Sequence, residues 1–145
     1  MGLASLAFNS LAASVYQDAS LPTEQRVSDL LNQMTLQEKV AQLQTVWHEG
    51  RELKGPNGAL KTSKAEKILP LGIGHIARPS EDLSPEDTVK YTNAIQKWLI
   101  DNTRLSIPAI FHEEALHGHA ASEATSFPQA IAMASTWDPQ LIYDI

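Results

Sequence analysis

The sequence predicts an α/β fold, a parallel sheet with helices packed outside it. Three observations predict it. Apolar periodicity marks amphipathic helices in the first third of the chain. Two short apolar runs, Gly72–Ala77 and Ile107–Phe111, read as strands. A strongly capped helix lies between them, giving a strand–helix–strand crossover of about 40 residues, the kind of connection that parallel pairing needs. Composition agrees. Of 145 residues 43% are hydrophobic, and the formal net charge is −6. That is a globular balance, and an acidic chain lacks the basic face that nucleic-acid phosphates require. The absence of cysteine excludes disulfides, thiolate metal sites and a cysteine nucleophile. No apolar run reaches the roughly 18 residues of a membrane span. The sequence therefore points to neither a nucleic-acid nor a membrane partner.

Residues 1–15 (MGLASLAFNSLAASV) are small, apolar and uncharged. They read as a leader or a degraded secretory signal, which would place the protein in the periplasm or outside the cell. The basic n-region is missing, however, and Asn9 and three serines interrupt the apolar run, so a cytoplasmic location stays open. From residue 16 the pattern is that of a folded domain running to 145. Pro22, just after Ser20, starts a helix whose stripe is Val27, Leu30, Leu31 and Met34. Thr35 to Glu38 fits a capping box for a second helix with its stripe at Leu36, Val40 and Leu43. Arg51–Lys61 (RELKGPNGALK) reads as a loop. Ser63 to Glu66 is another capping box, opening a helix that has to end before Pro70.

Gly72–Ala77 is the first predicted strand, stopped by Pro79. Ser84-Pro85-Glu86-Asp87 is a strong helix start, with a capping hydroxyl, proline at the first position and acids in the first turn. Its stripe is Val89, Ile95, Trp98 and Leu99, and it runs to about Asn102. Ile107–Phe111 is the second predicted strand; Pro108 cannot donate to a ladder and belongs at its beginning. Asp138-Pro139 opens a last helix with Leu141, Ile142 and Ile145 on its apolar face. Two or three strands and no closing sheet read as the leading part of a larger protein, with a small self-contained α/β domain as the alternative.

The densest chemistry is Phe111 to His119 (FHEEALHGH), which holds three of the five histidines and two adjacent carboxylates. It follows a predicted parallel strand, at the end where α/β proteins bind ligands. A zinc-protease helix does not fit: HExxH puts its second histidine at position 116, which is Leu116, and His117 is about 140° around the helix from His112. His117, His119 and Glu123 give the spacing HxHxxxE, a metal pattern met in all-β barrels, whereas this chain is mostly helical. A carbohydrate-binding loop, with carboxylate and imidazole on sugar hydroxyls, is the third reading. Packing in a satisfied polar interior remains the plain reading of His112 and His119. Glu113 and Glu114 do not make a glycosidase pair. Retaining enzymes hold two carboxyls about 5–5.5 Å apart on either side of the scissile bond, while adjacent side chains of an extended segment point to opposite faces. At most one of the two reaches a substrate.

Three blocks taken in order, Pro22–Leu43 (PTEQRVSDLLNQMTLQEKVAQL), Gly72-Ile73-Gly74 and Ile107–Asp138 (IPAIFHEEALHGHAASEATSFPQAIAMASTWD), resemble the N-terminal domain of the family 3 glycoside hydrolases, the β-glucosidases and β-xylosidases. The resemblance covers nearly all of residues 16–145. It implies an incomplete (β/α)8 TIM-type barrel, of which these residues are the first βα units. It also implies a retaining, exo-acting β-glycosidase that removes terminal β-D-glucosyl or β-D-xylosyl residues from oligosaccharides through a covalent glycosyl-enzyme. No cofactor is implied. In the family the acidic residue of the xALHG motif grips hydroxyls of the terminal sugar without breaking bonds. That role falls on Glu114, where many members have Asp; His117 of the same motif is the second expected substrate-binding residue, in support of that loop, and Gly118 is a turn position. The family's nucleophile and acid/base motifs do not occur in this sequence, so the chain by itself is expected to be inactive. The alternative from another class is a non-catalytic carbohydrate-binding or interaction module. Titration with glucose and xylose separates the two: a partial subsite binds little, a module saturates.

Overall fold

The computed structural model describes residues 14–145. The leader expected at 1–15 lies outside the described residues but for Ser14 and Val15. The chain divides into two compact units, with the boundary between Leu36 and Gln37.

In the first unit a single 3-10 turn, Val15–Gln17, precedes helix α1 (Thr23–Gln33). The Tyr16 amide donates to Asp29 Oδ2 at 3.0 Å, and Arg26 Nε donates to the Tyr16 carbonyl at 2.9 Å. These polar ties hold the turn on the helix. The predicted stripe is only partly used within this unit: Leu30 and Met34 are half-buried, whereas Val27 and Leu31 are exposed.

Helix α2 (Leu36–Gln42) leads into the second unit. Here the structure corrects the expected stripe. Leu36, Val40 and Leu43 are exposed, and the buried residues are Glu38 and Ala41. The reason is a non-local ion pair. Arg104 donates to both Glu38 oxygens, from Nε at 2.8 Å and from Nη2 at 2.5 Å, across 66 residues of sequence. A bidentate guanidinium partner satisfies the carboxylate and lets that face turn inward. Strand β1 (Thr45–Val46) follows at once. Its two residues are too short to leave a periodic signal, and the sequence reading did not find it.

The expected loop at 51–61 is partly ordered. It begins with a single helical turn, α3 (Gly50–Leu53), and closes through a bridge between Lys54 and Leu60. Helix α4 (Thr62–Ile68) ends before Pro70 as predicted, but its N-cap is Lys61, so Ser63 lies inside the helix rather than capping it. Strand β2 is His75–Ala77, shorter than the run that predicted it. Helix α5 (Pro85–Asn102) has the predicted start: Ser84 Oγ accepts the Asp87 amide at 3.2 Å. It buries Tyr91, Ile95, Trp98 and Leu99, while Val89, expected in its stripe, is exposed. Strand β3 is Ile110–His112, placing Pro108 just ahead of the ladder it cannot join. Two short helices close the chain, α6 (Ala130–Ala134) and α7 (Pro139–Asp144). Asp138 caps α7, accepting the amides of Gln140 and Leu141.

The three strands form one parallel sheet in the order β1–β2–β3. Val46 pairs with Ile76, Ile76 with Phe111, and Ala77 with His112. This is the parallel α/β arrangement that the crossover pattern predicts. The core is Val46, Leu53, Leu69, Ile73, Ile76, Tyr91, Ile95, Trp98 and Leu99 with small alanines between them. Tyr91 is fully buried and donates its hydroxyl to the Gly50 carbonyl at 3.1 Å; burial pushes its phenol pKa upward. Since α5 supplies four core residues, its cap should matter to the whole unit. Ser84→Ala is expected to lower stability by about 1 kcal/mol and Ser84→Gly by only a few tenths, measured by urea unfolding. No loss in Ser84→Ala would show that the hydroxyl does no capping.

Candidate functional site

Parallel strands in register bring their C-terminal ends to one edge of the sheet. The next residues of the chain must therefore meet there. Trp47 follows β1, Arg78 follows β2, and Glu113 and Glu114 follow β3. The Arg78 amide continues the ladder by donating to the His112 carbonyl at 2.8 Å. Its φ is +50°, in the left-handed region, which costs a residue with a Cβ roughly 1–2 kcal/mol. The turn carries the guanidinium over the indole of Trp47, 5.9 Å from its centroid. Trp47 also stacks with His48, with centroids 4.6 Å apart and planes 13° from parallel.

The two carboxylates of the predicted cluster do different things. Glu113 Oε1 accepts the Ser80 amide at 2.8 Å and ties the segment after β2 to the end of β3. Glu114 is directed elsewhere. Its carboxylate, 53% exposed, lies 4.0 Å from Arg78 Nη1. An exposed pair at that distance contributes little stability, so Glu114 is not held by the fold as Glu113 is. The divergence expected of adjacent side chains on an extended segment is what separates them.

Around Arg78 the charges are mostly paired. Glu81 takes Arg51 Nη2 at 2.8 Å, its backbone carbonyl takes Lys54 Nζ at 2.6 Å, and Arg78 Nη2 is 3.6 Å from its carboxylate. The hydrogen bond from Arg51 holds the Glu81 carboxyl below the usual carboxylate range against the opposing effect of burial. Burial pushes the Lys54 ammonium pKa down, with the carboxylates of Glu81, Asp82 and Glu113 opposing it.

His117 is half-buried. Its Nδ1 is enclosed without a hydrogen-bond partner among the described residues, while its carbonyl accepts the Phe127 amide at 2.6 Å. Gly118 has φ +96°, and a Cβ there would fall 2.3 Å from the Thr125 carbonyl oxygen. The turn at 117–118 therefore depends on glycine, as expected for that position. His119 Nε2 lies 3.4 Å from Ser80 Oγ, and both line a cleft of about 270 Å3 together with Leu83, Pro85, Thr88 and Glu123. His112 meets His75 edge to face at 6.0 Å. No three metal-ligating side chains converge among the described residues, the set His117, His119 and Glu123 included.

Glu114 thus stands on the strand-end rim, as its place after a parallel strand requires. Trp47 and Arg78 were not singled out by sequence reasoning. One signal for Arg78 was available: the first residue past a predicted parallel strand faces the ligand end of the sheet. Trp47 had none, because the strand before it is two residues long.

Residues 35–145 match the family described as the glycosyl hydrolase family 3 N terminal domain. A Formosa agariphila protein, whose β-xylosidase assignment is itself provisional, is 42% identical over 130 residues, covering 88% of this chain and 17% of its own length. A β-glucosidase C of Emericella nidulans is 30% identical over 90% of this chain and 22% of its own. Among solved structures, a β-glucosidase from Erythrobacter marinus superimposes with a TM-score of 0.63 at 34% identity, covering 92% of this chain and 17% of that one. The chain thus spans about a fifth of the length of the curated relatives it matches.

Proposed function

The chain belongs to glycosyl hydrolase family 3, in its N-terminal domain, and from that premise we propose that it supplies the opening βα units of a (β/α)8 barrel and part of the terminal-sugar subsite of a retaining β-glycosidase. The substrates are oligosaccharides ending in β-linked glucose or xylose, the two sugars in the names of its relatives. One observation carries the proposal: an exposed carboxylate, Glu114, stands where the third parallel strand ends, on a rim it shares with Trp47 and Arg78.

The chemistry follows from what each group is free to do. A carboxylate without close partners accepts hydrogen bonds from sugar hydroxyls, and such bonds tighten as the ring flattens toward an oxocarbenium ion. Glu113 holds the Ser80 amide and therefore keeps the rim in shape rather than meeting the sugar. His117 and Gly118 set the turn that follows Glu114. A second carboxyl about 5–5.5 Å across the scissile bond is what retention needs, and the family's nucleophile and acid/base motifs are not among these 145 residues. The role of the chain is grip and orientation.

The test is a graft. With the aligned segment of the Erythrobacter β-glucosidase replaced by this chain, the hybrid is expected to cleave an aryl β-glucoside or β-xyloside, while the 145-residue chain alone leaves both intact. Turnover by the chain alone would place the bond-cleaving groups within it. A folded hybrid without turnover, together with tight saturable sugar binding by the chain, would make it a binding module.

A further inference from the structure

We propose that Arg78 is a second sugar-binding residue, whose guanidinium, held over Trp47, donates to the hydroxyl neighbouring the one that Glu114 accepts. This rests on the assignment of Glu114 to a sugar subsite and adds a donor to it. The geometry begins with the backbone. Among the described residues six non-glycine residues have positive φ, and Arg78 is the one that directly follows a strand of the sheet at its ligand end. Glycine or asparagine would hold that conformation more easily, so the position is occupied by a side chain the backbone does not favour.

The guanidinium is then poised without being consumed. Its two carboxylate neighbours are Glu81 at 3.6 Å and Glu114 at 4.0 Å, both beyond hydrogen-bond length, whereas Arg51 and Lys54 beside it reach Glu81 at 2.8 and 2.6 Å. Among the described residues the side chain of Arg78 makes no hydrogen bond shorter than these contacts. It is 23% exposed, enough to be reached yet backed by the indole face of Trp47. The indole face attracts the cation without using up any of its N–H donors.

A planar donor fork and a carboxylate acceptor side by side complement a pair of adjacent equatorial hydroxyls. One hydroxyl donates to Glu114, and the oxygen of its neighbour accepts from Arg78. Glucose and xylose both present such pairs. The arrangement calls for arginine in particular, because a lysine ammonium does not offer two parallel donors in a fixed fork.

The experiment follows the 145-residue chain by NMR as D-xylose or D-glucose is added, with sorbitol at equal concentration as the control. The Arg78 Nε–H, the Trp47 indole N–H and the Glu114 side chain are expected to shift together, weakly and far from saturation, with a cyclic sugar and not with sorbitol. Arg78→Ala and Arg78→Lys are each expected to weaken that response about tenfold, as loss of a charged hydrogen bond predicts. The amide shifts of β2 and β3 should stay in place, which separates lost contact from lost structure. If Glu114 responds equally in wild type and in both variants, Arg78 is not a sugar ligand and the Glu114 assignment stands. If no Glu114 signal responds to either sugar, the subsite reading itself falls, and this inference with it.

Discussion

Gly74→Ala is expected to destabilise the 37–145 unit by about 3–5 kcal/mol, a loss built from overpacking and two weakened backbone hydrogen bonds. A Cβ at this position would sit 1.9 Å from the Gln42 carbonyl oxygen and 2.7 Å from its carbonyl carbon. Those atoms are backbone at the end of α2 and cannot swing aside as a side chain can. Gly74 is also bonded on both sides: its amide donates to the Ala41 carbonyl at 3.1 Å, and its carbonyl accepts the Ile110 amide at 2.9 Å. Separating α2 from the start of β2 therefore also disturbs the entry to β3. Against a typical domain stability of about 5–15 kcal/mol, this substitution alone can leave much of the chain unfolded. Gly50→Ala is the matched control. Its Cβ would meet nothing closer than Val46 Cγ1 at 3.5 Å, an ordinary contact, and the change should be near neutral. Urea unfolding followed by circular dichroism reads both. A Gly74→Ala midpoint close to that of Gly50→Ala would mean that α2 does not press on the sheet as described.

The second large effect is on chemistry. In the active hybrid, Glu114→Ala is expected to lower kcat/KM by about 10²–10³-fold, the equivalent of two charged hydrogen bonds lost from the transition state. Glu113 supplies the contrast. Glu113→Gln keeps an oxygen for the Ser80 amide, which it now accepts at 2.8 Å, and should leave kcat/KM within a few-fold of the parent. An undiminished kcat/KM in Glu114→Ala would remove Glu114 from the subsite. A Glu113→Gln loss as deep as that of Glu114→Ala would mean that the two carboxylates share the sugar, contrary to their divergence on the rim.

How much of this was legible in the chain depends on where each residue's partner lies. The start of α5 was readable because Ser84 caps an amide only three residues away. The cap of α7 was readable for the same reason, with Asp138 and its two acceptor contacts inside one turn. The buried face of α2 was not. Its apolar residues argued for Leu36, Val40 and Leu43, and the choice went to Glu38 because Arg104 meets it from the far end of α5. Val89 failed in a similar way: it fits the period of α5, but the helix turns Tyr91 and Ile95 into the core instead. Strand β1 is held by its neighbour in the sheet, and nothing in two residues announces it.

The sequence by itself determined the alternation of strand and helix, the parallel crossover, the turn at Gly118 and the family to which the chain belongs. Caps, periodicity and motif spacing are properties of residues close together along the chain. Only the tertiary structure decided that Glu113 braces the rim while Glu114 stays open, and that Trp47 and Arg78 arrive beside it. Those relations join residues that follow three different strands. They exist only once parallel pairing, in this register, has carried the strand ends to a common edge.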